Sequence, residues 1–161
     1  MKQLAPPARW LGLAGLLPVI AGTAVAWFDT SQDIRLIATA VTLLYGGLIL
    51  SFIGGAWWGL ASQAGMFQWG VFILSVIPSL YAWPAVAWSW LDASYAGSAW
   101  LLAAGFALTL PVDRLLMRHG TAPDWWLSLR LPLSLSMALL FLLLGLRFFY
   151  GSASVMMSPN A

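Results

Sequence analysis

Residues 34–60 read IRLIATAVTLLYGGLILSFIGGAWWGL, an apolar run whose single charged side chain, Arg35, stands at its second position. At 1.5 Å of rise per residue, a helix of this length crosses about 30 Å of hydrocarbon with turns to spare. A helix is the natural choice there, because it closes its own backbone hydrogen bonds where no water can satisfy them. Runs of the same character recur at 9–28, 66–91, 95–116 and 131–150, separated by polar breaks at 29–33, 62–65, 92–94 and 117–130. Such short links leave consecutive helices as antiparallel neighbours. The sequence therefore predicts an all-α polytopic membrane protein, a five-helix transmembrane bundle with a short interfacial helix before the last span. Residues 1–150 form its single domain, and 151–161, rich in Ser, Met, Pro and Asn, read as a disordered tail.

Composition points the same way. Of 161 residues 61% are apolar and 7% charged, against about 25% charge in an ordinary soluble domain. The mean hydropathy is +0.87. A net charge of +2 spread over so few groups makes no basic face for nucleic acid. The absence of Cys removes thiolate metal sites, disulfides and cysteine nucleophiles. One domain in lipid remains.

Lys2, Arg9, Arg114, Arg118 and Arg130 fall on the side of the amino terminus, and Arg35 and Arg147 on the other. That bias predicts an amino terminus in the cytoplasm and a carboxyl terminus outside. Ala24-Val25-Ala26 matches the small-residue pattern of a secretory cleavage site. Pro18 inside the run, and the run's length, favour a first span instead.

Eleven Trp residues are the most unusual compositional feature, and most fall near span ends, where an indole rests at the headgroup level. The pairs Trp57-Trp58 and Trp125-Trp126 stand apart, since helix neighbours point about 100° apart and cannot both face the same lipid. Gly47, Ser51, Gly55 and Gly59 repeat at intervals of four, a stripe on which a facing helix can approach closely. In the next span Pro78 removes an N–H and frees the carbonyl of Leu74, with Ser75 beside it. The place where this bend meets the stripe is the predicted ligand or partner site: Gly47, Ser51, Gly55, Trp58, Gly59, Ser75 and Pro78.

Polar residues concentrate between 113 and 132. Asp113, Arg114, Arg118, Trp126 and Arg130 form a second candidate set, for an anionic group or for an Asp113–Arg130 ion pair joining the fourth and fifth spans. Gly120 suits the left-handed cap that ends a helix, and Thr121-Ala122-Pro123-Asp124 reads as a capping box opening the interfacial helix. No span carries an ionisable residue at its centre, as a pump or voltage sensor requires. His119 is the single histidine, so neither a multi-His metal site nor a paired-imidazole haem site is expected from one chain. No P-loop, GxSxG or other catalytic constellation is present. Catalytic residues, cofactor and metal are accordingly expected to be none.

The run ILSFIGGAWWG from Ile49 to Gly59, preceded by Tyr45-Gly46, resembles the signature of the transmembrane protein sixty-nine-like family. Residues 11–18 (LGLAGLLP), 75–83 (SVIPSLYAW) and 125–133 (WWLSLRLPL) are similar to its first, third and last spans, in that order. The resemblance, to a bacterial and mitochondrial domain family of unknown function, implies a small multi-pass protein of the bacterial inner (cytoplasmic) membrane. The expected role is that of an accessory or assembly factor engaging other membrane components through helix packing. The alternative is a binder or transporter of a quinone, porphyrin or lipid in a pocket between the second and third spans.

Overall fold

The computed structural model describes residues 6–63, 69–91 and 94–156, and these are helical apart from short links. The helices are α1 (Pro6–Ala14), α2 (Leu17–Phe28), α3 (Gln32–Gln63), α4 (Trp69–Leu91), α5 (Tyr95–Arg118) and α6 (Trp126–Met156). Five segments are long and apolar enough to cross a membrane, with α1 and α2 together making the first.

That first span is broken, and Pro18 is the reason: without an N–H it cannot continue the ladder back to Ala14. The chain tightens at Gly15, whose N–H reaches both Leu11 O and Gly12 O. Tyr45 of α3 donates its hydroxyl to Gly15 O at 2.9 Å, satisfying a carbonyl at the break. By contrast, Pro78 and Pro84 in α4, Pro111 in α5 and Pro132 in α6 are absorbed within continuous helices.

The core lies between α3, α5 and α6. Phe106 and Phe141 stack with centroids 5.7 Å apart, surrounded by Leu43, Leu50, Leu102 and Leu144, all buried. A Cβ at Gly46 would collide with the Phe141 ring, so glycine there sets the distance between α3 and α6. Much of the remaining apolar surface faces outward, including Phe28, Phe52, Trp83 and Leu91. In water that surface is untenable; in lipid it is the solvated one.

Two local expectations change. The stretch expected as a separate interfacial helix is continuous with the last span: α6 starts at Trp126 and passes through Pro132 without a break. The Thr121–Asp124 capping box does not form, because backbone bonds pre-empt it. Gly120 takes a positive φ of 69°. Its N–H bonds Met117 O, and that of Thr121 bonds Leu116 O, the pattern of a Schellman cap. Trp126 N–H then bonds Pro123 O to open α6. At the far end α6 extends to Met156, into the expected tail, while 157–161 lie outside the described residues.

Candidate functional site

Asp113 lies five residues before the end of α5 and is fully buried. An unpaired carboxylate is intolerable in such surroundings, and three side chains from two other spans donate to it. Its Oδ1 accepts from Trp57 Nε1 of α3 at 2.8 Å and from Trp126 Nε1 of α6 at 2.7 Å. Its Oδ2 accepts from Arg130 Nε at 2.9 Å, an ion pair whose guanidinium side is also largely buried. Arg130 Nη2 donates to Thr109 Oγ1 at 3.1 Å. Thr109 in turn donates to Phe106 O and lies 3.3 Å from Ser134 Oγ.

The spacing explains the geometry. Thr109 and Asp113 are four apart on α5, and Trp126, Arg130 and Ser134 are four apart on α6, so each set makes a ladder on one helix face. Two facing ladders interlock, and Trp57 reaches them from α3. Of the paired tryptophans, Trp57 is 2% exposed while Trp58 is half exposed and meets Phe72 edge-on with centroids 4.7 Å apart. One indole of the pair serves the carboxylate and its neighbour faces outward.

Beside this network lies a cavity of about 450 Å³ between α1, α3 and α6. Its walls are apolar: Leu11, Gly12 and Leu16 from the broken first span, Phe52, Ile53 and Ala56 from α3, and Leu133 and Met137 from α6. Trp126, Arg130 and Ser134 supply the polar end. Leu11 and Phe52 are 74% and 73% exposed, so the cavity is a groove open sideways to the surroundings of the bundle.

The other expected set is scattered. Gly47 packs against Val86, and Ser51 turns its hydroxyl back to Gly47 O at 3.0 Å. A Cβ added at Gly55 or Gly59 would meet nothing within 4 Å among the described residues. Ser75 and Pro78 are buried, but their helix closes on Gly54, where an added Cβ would collide with the Ser75 carbonyl oxygen. Where a pocket is expected between the second and third spans, the described residues enclose a void beside Pro78 of about 90 Å³. Close packing uses Gly46, Gly47 and Gly54, and the interval-of-four stripe drifts off it because that spacing rotates slowly around a helix of 3.6 residues per turn.

Arg114 and Arg118 are exposed at the end of α5, whereas Asp113, Trp126 and Arg130 converge. Trp57, Thr109 and Ser134 complete the cluster outside either expected set; the i, i+4 registers with Asp113 and Arg130 were the signal for the last two. No group of three or more potential metal-ligating His, Cys, Asp or Glu side chains occurs among the described residues.

Residues 4–146 match the family described as a protein of unknown function (DUF3429), and the chain belongs to that family. It is also 29% identical, over 133 residues, to Transmembrane protein 69 of Xenopus tropicalis. That alignment covers 81% of this chain and 50% of the relative, so the chain spans about half the length of the curated relative it matches. No solved structure matches.

Proposed function

We propose that this membrane protein takes up a lipophilic molecule from the bilayer in the groove between α1, α3 and α6. The observation that carries this reading is the union of an apolar cavity of about 450 Å³ with a single polar end at Arg130. Ligand pockets span about 300–1,000 Å³ and combine mostly apolar walls with few polar groups. The proline break in the first span makes the groove, since it leaves α1 a separate rod against α6, while Asp113 fixes the Arg130 rotamer.

A diazirine-bearing lipid probe tests it. Labelling is expected to concentrate on groove residues such as Phe52 and Met137, and Ala56→Leu, which fills the cavity from α3, is expected to abolish that concentration. Labels spread evenly over all outward faces, or unchanged in Ala56→Leu, would overturn the reading.

A second reading, an accessory or assembly role, is favoured by Gly55 and Gly59, whose face has open space in front of it. A helix of another membrane protein could approach closely there. Gly55→Leu is then expected to abolish co-purification with that partner while leaving insertion intact. Unchanged recovery of every partner counts against it. In either case we propose a bacterial inner membrane with the Asp113 end of the bundle, which lies with the amino terminus, on its cytoplasmic side, an orientation that the basic-residue bias supports. A reporter fused after Tyr150 tests this and is expected outside.

A further inference from the structure

We infer that the polar end of the groove receives an uncharged carbonyl, the head of a ketone, ester or quinone, and discriminates against an anionic head. This rests on the groove-binding reading and names the chemistry of its ligand.

The argument begins with unused donors. A guanidinium carries five N–H groups. Arg130 commits Nε to Asp113 and Nη2 to Thr109, and Nη1 has no partner among the described residues. Thr23 Oγ1 and Ser98 Oγ are the buried side-chain polar atoms without a partner among those residues, so Nη1 keeps accessible surface. Arg130 forms part of the cavity wall. A donor without a partner on the wall of an apolar groove calls for an acceptor.

Charge then selects which acceptor. Arg130 is the one charged side chain among the described residues lining the cavity, and its charge is already matched by Asp113 at 2.9 Å. Both groups are inside the protein, at 8% and 0% exposure. Arg114 and Arg118 point outward at the helix end and do not line the groove. A carbonyl oxygen pairs with the free N–H and leaves the site neutral. A carboxylate, sulfonate or phosphate would add an unmatched negative charge to a neutral buried pair and compete with Asp113 for the same guanidinium, losing the desolvation it cannot recover. The volume admits the head and the first part of a chain, and the exposed rim at Leu11 and Phe52 lets the rest run into the bilayer.

The test uses three probes of equal chain length in detergent: a long-chain methyl ketone, the corresponding alkyl sulfonate and the bare alkane. Each competes against a diazirine-bearing long-chain ketone, with cross-linked positions read by mass spectrometry. The ketone is expected to displace the label at least about tenfold better than either the sulfonate or the alkane. The paired variant Asp113→Leu with Arg130→Met, which removes the free N–H without orphaning a charge, is expected to erase the ketone's advantage over the alkane. Ala56→Leu is expected to abolish competition by all three. If the sulfonate competes as well as the ketone, or the ketone no better than the alkane, while Ala56→Leu still blocks labelling, the headgroup inference is wrong and the groove reading stands. If no probe competes and Ala56→Leu changes nothing, both fall together.

Discussion

The two ends of this bundle solve the same problem in different ways. At the end that holds the amino terminus, a wholly buried carboxylate gathers two indoles and a guanidinium from two other spans. At the opposite end the long polar side chains bond to backbone. Arg147 Nε donates to Ala26 O at 3.1 Å, Trp27 Nε1 to Leu143 O at 3.2 Å, and Arg35 Nη1 to Asp29 O at 3.1 Å. In the second arrangement the bonds to Ala26 O and Asp29 O satisfy carbonyls left open where α2 ends, a need that every helix terminus has, and the bond from Trp27 reaches a carbonyl within α6. The first has no such origin: nothing about helix termini requires an aspartate inside the bundle. A structural clamp and a preorganised ligand end both account for it, and the cavity on its Arg130 side is what separates the two.

Breaking the network end is expected to have the largest effect. Asp113→Asn removes the charge that Arg130 faces and is expected to destabilise the bundle by about 3–5 kcal/mol, the usual consequence of leaving a buried charge unmatched. Unfolding in mixed micelles titrated with SDS measures it. Replacing both partners, Asp113→Leu with Arg130→Met, is expected to cost much less than the single change, because no orphaned charge remains. A double variant as unstable as Asp113→Asn would mean that the pair is not coupled as its 2.9 Å contact implies.

Trp57→Phe keeps the ring and deletes one donor. Asp113 retains two partners, so a loss of about 1–3 kcal/mol is expected, with the other donors holding the site together. The same titration reads it, and a loss as large as that of Asp113→Asn would show that the indole's shape matters more than its N–H. The smallest effect is expected at the other end. Arg147→Gln removes a half-exposed bond to a helix-terminal carbonyl, for which about 0.5–1 kcal/mol is the appropriate scale. A cost equal to that of the network variants would erase the distinction between the two ends.

Much of the candidate site was legible as single residues. Asp113, Trp126 and Arg130 stood out because charge and paired tryptophan are scarce in an apolar chain, and the possibility of an ion pair between the last two spans followed from their positions. The sequence reading favours Trp58, but Trp57 is of the same type and adjacent to it, and only the rotation of α3 against α5 decides that Trp57 turns inward. Thr109 and Ser134 are ordinary residues within spans until facing ladders give them a guanidinium to meet.

The sequence by itself determined the solvent, the number of crossings and the bias of basic residues, because hydrocarbon thickness, backbone satisfaction and charge placement act on each segment independently of its neighbours. Tertiary structure decided which glycines close on a neighbour, where the groove lies and which indoles leave the lipid. Those outcomes depend on the azimuth of one helix relative to another, and a period of 3.6 residues per turn leaves that azimuth open until several helices pack at once.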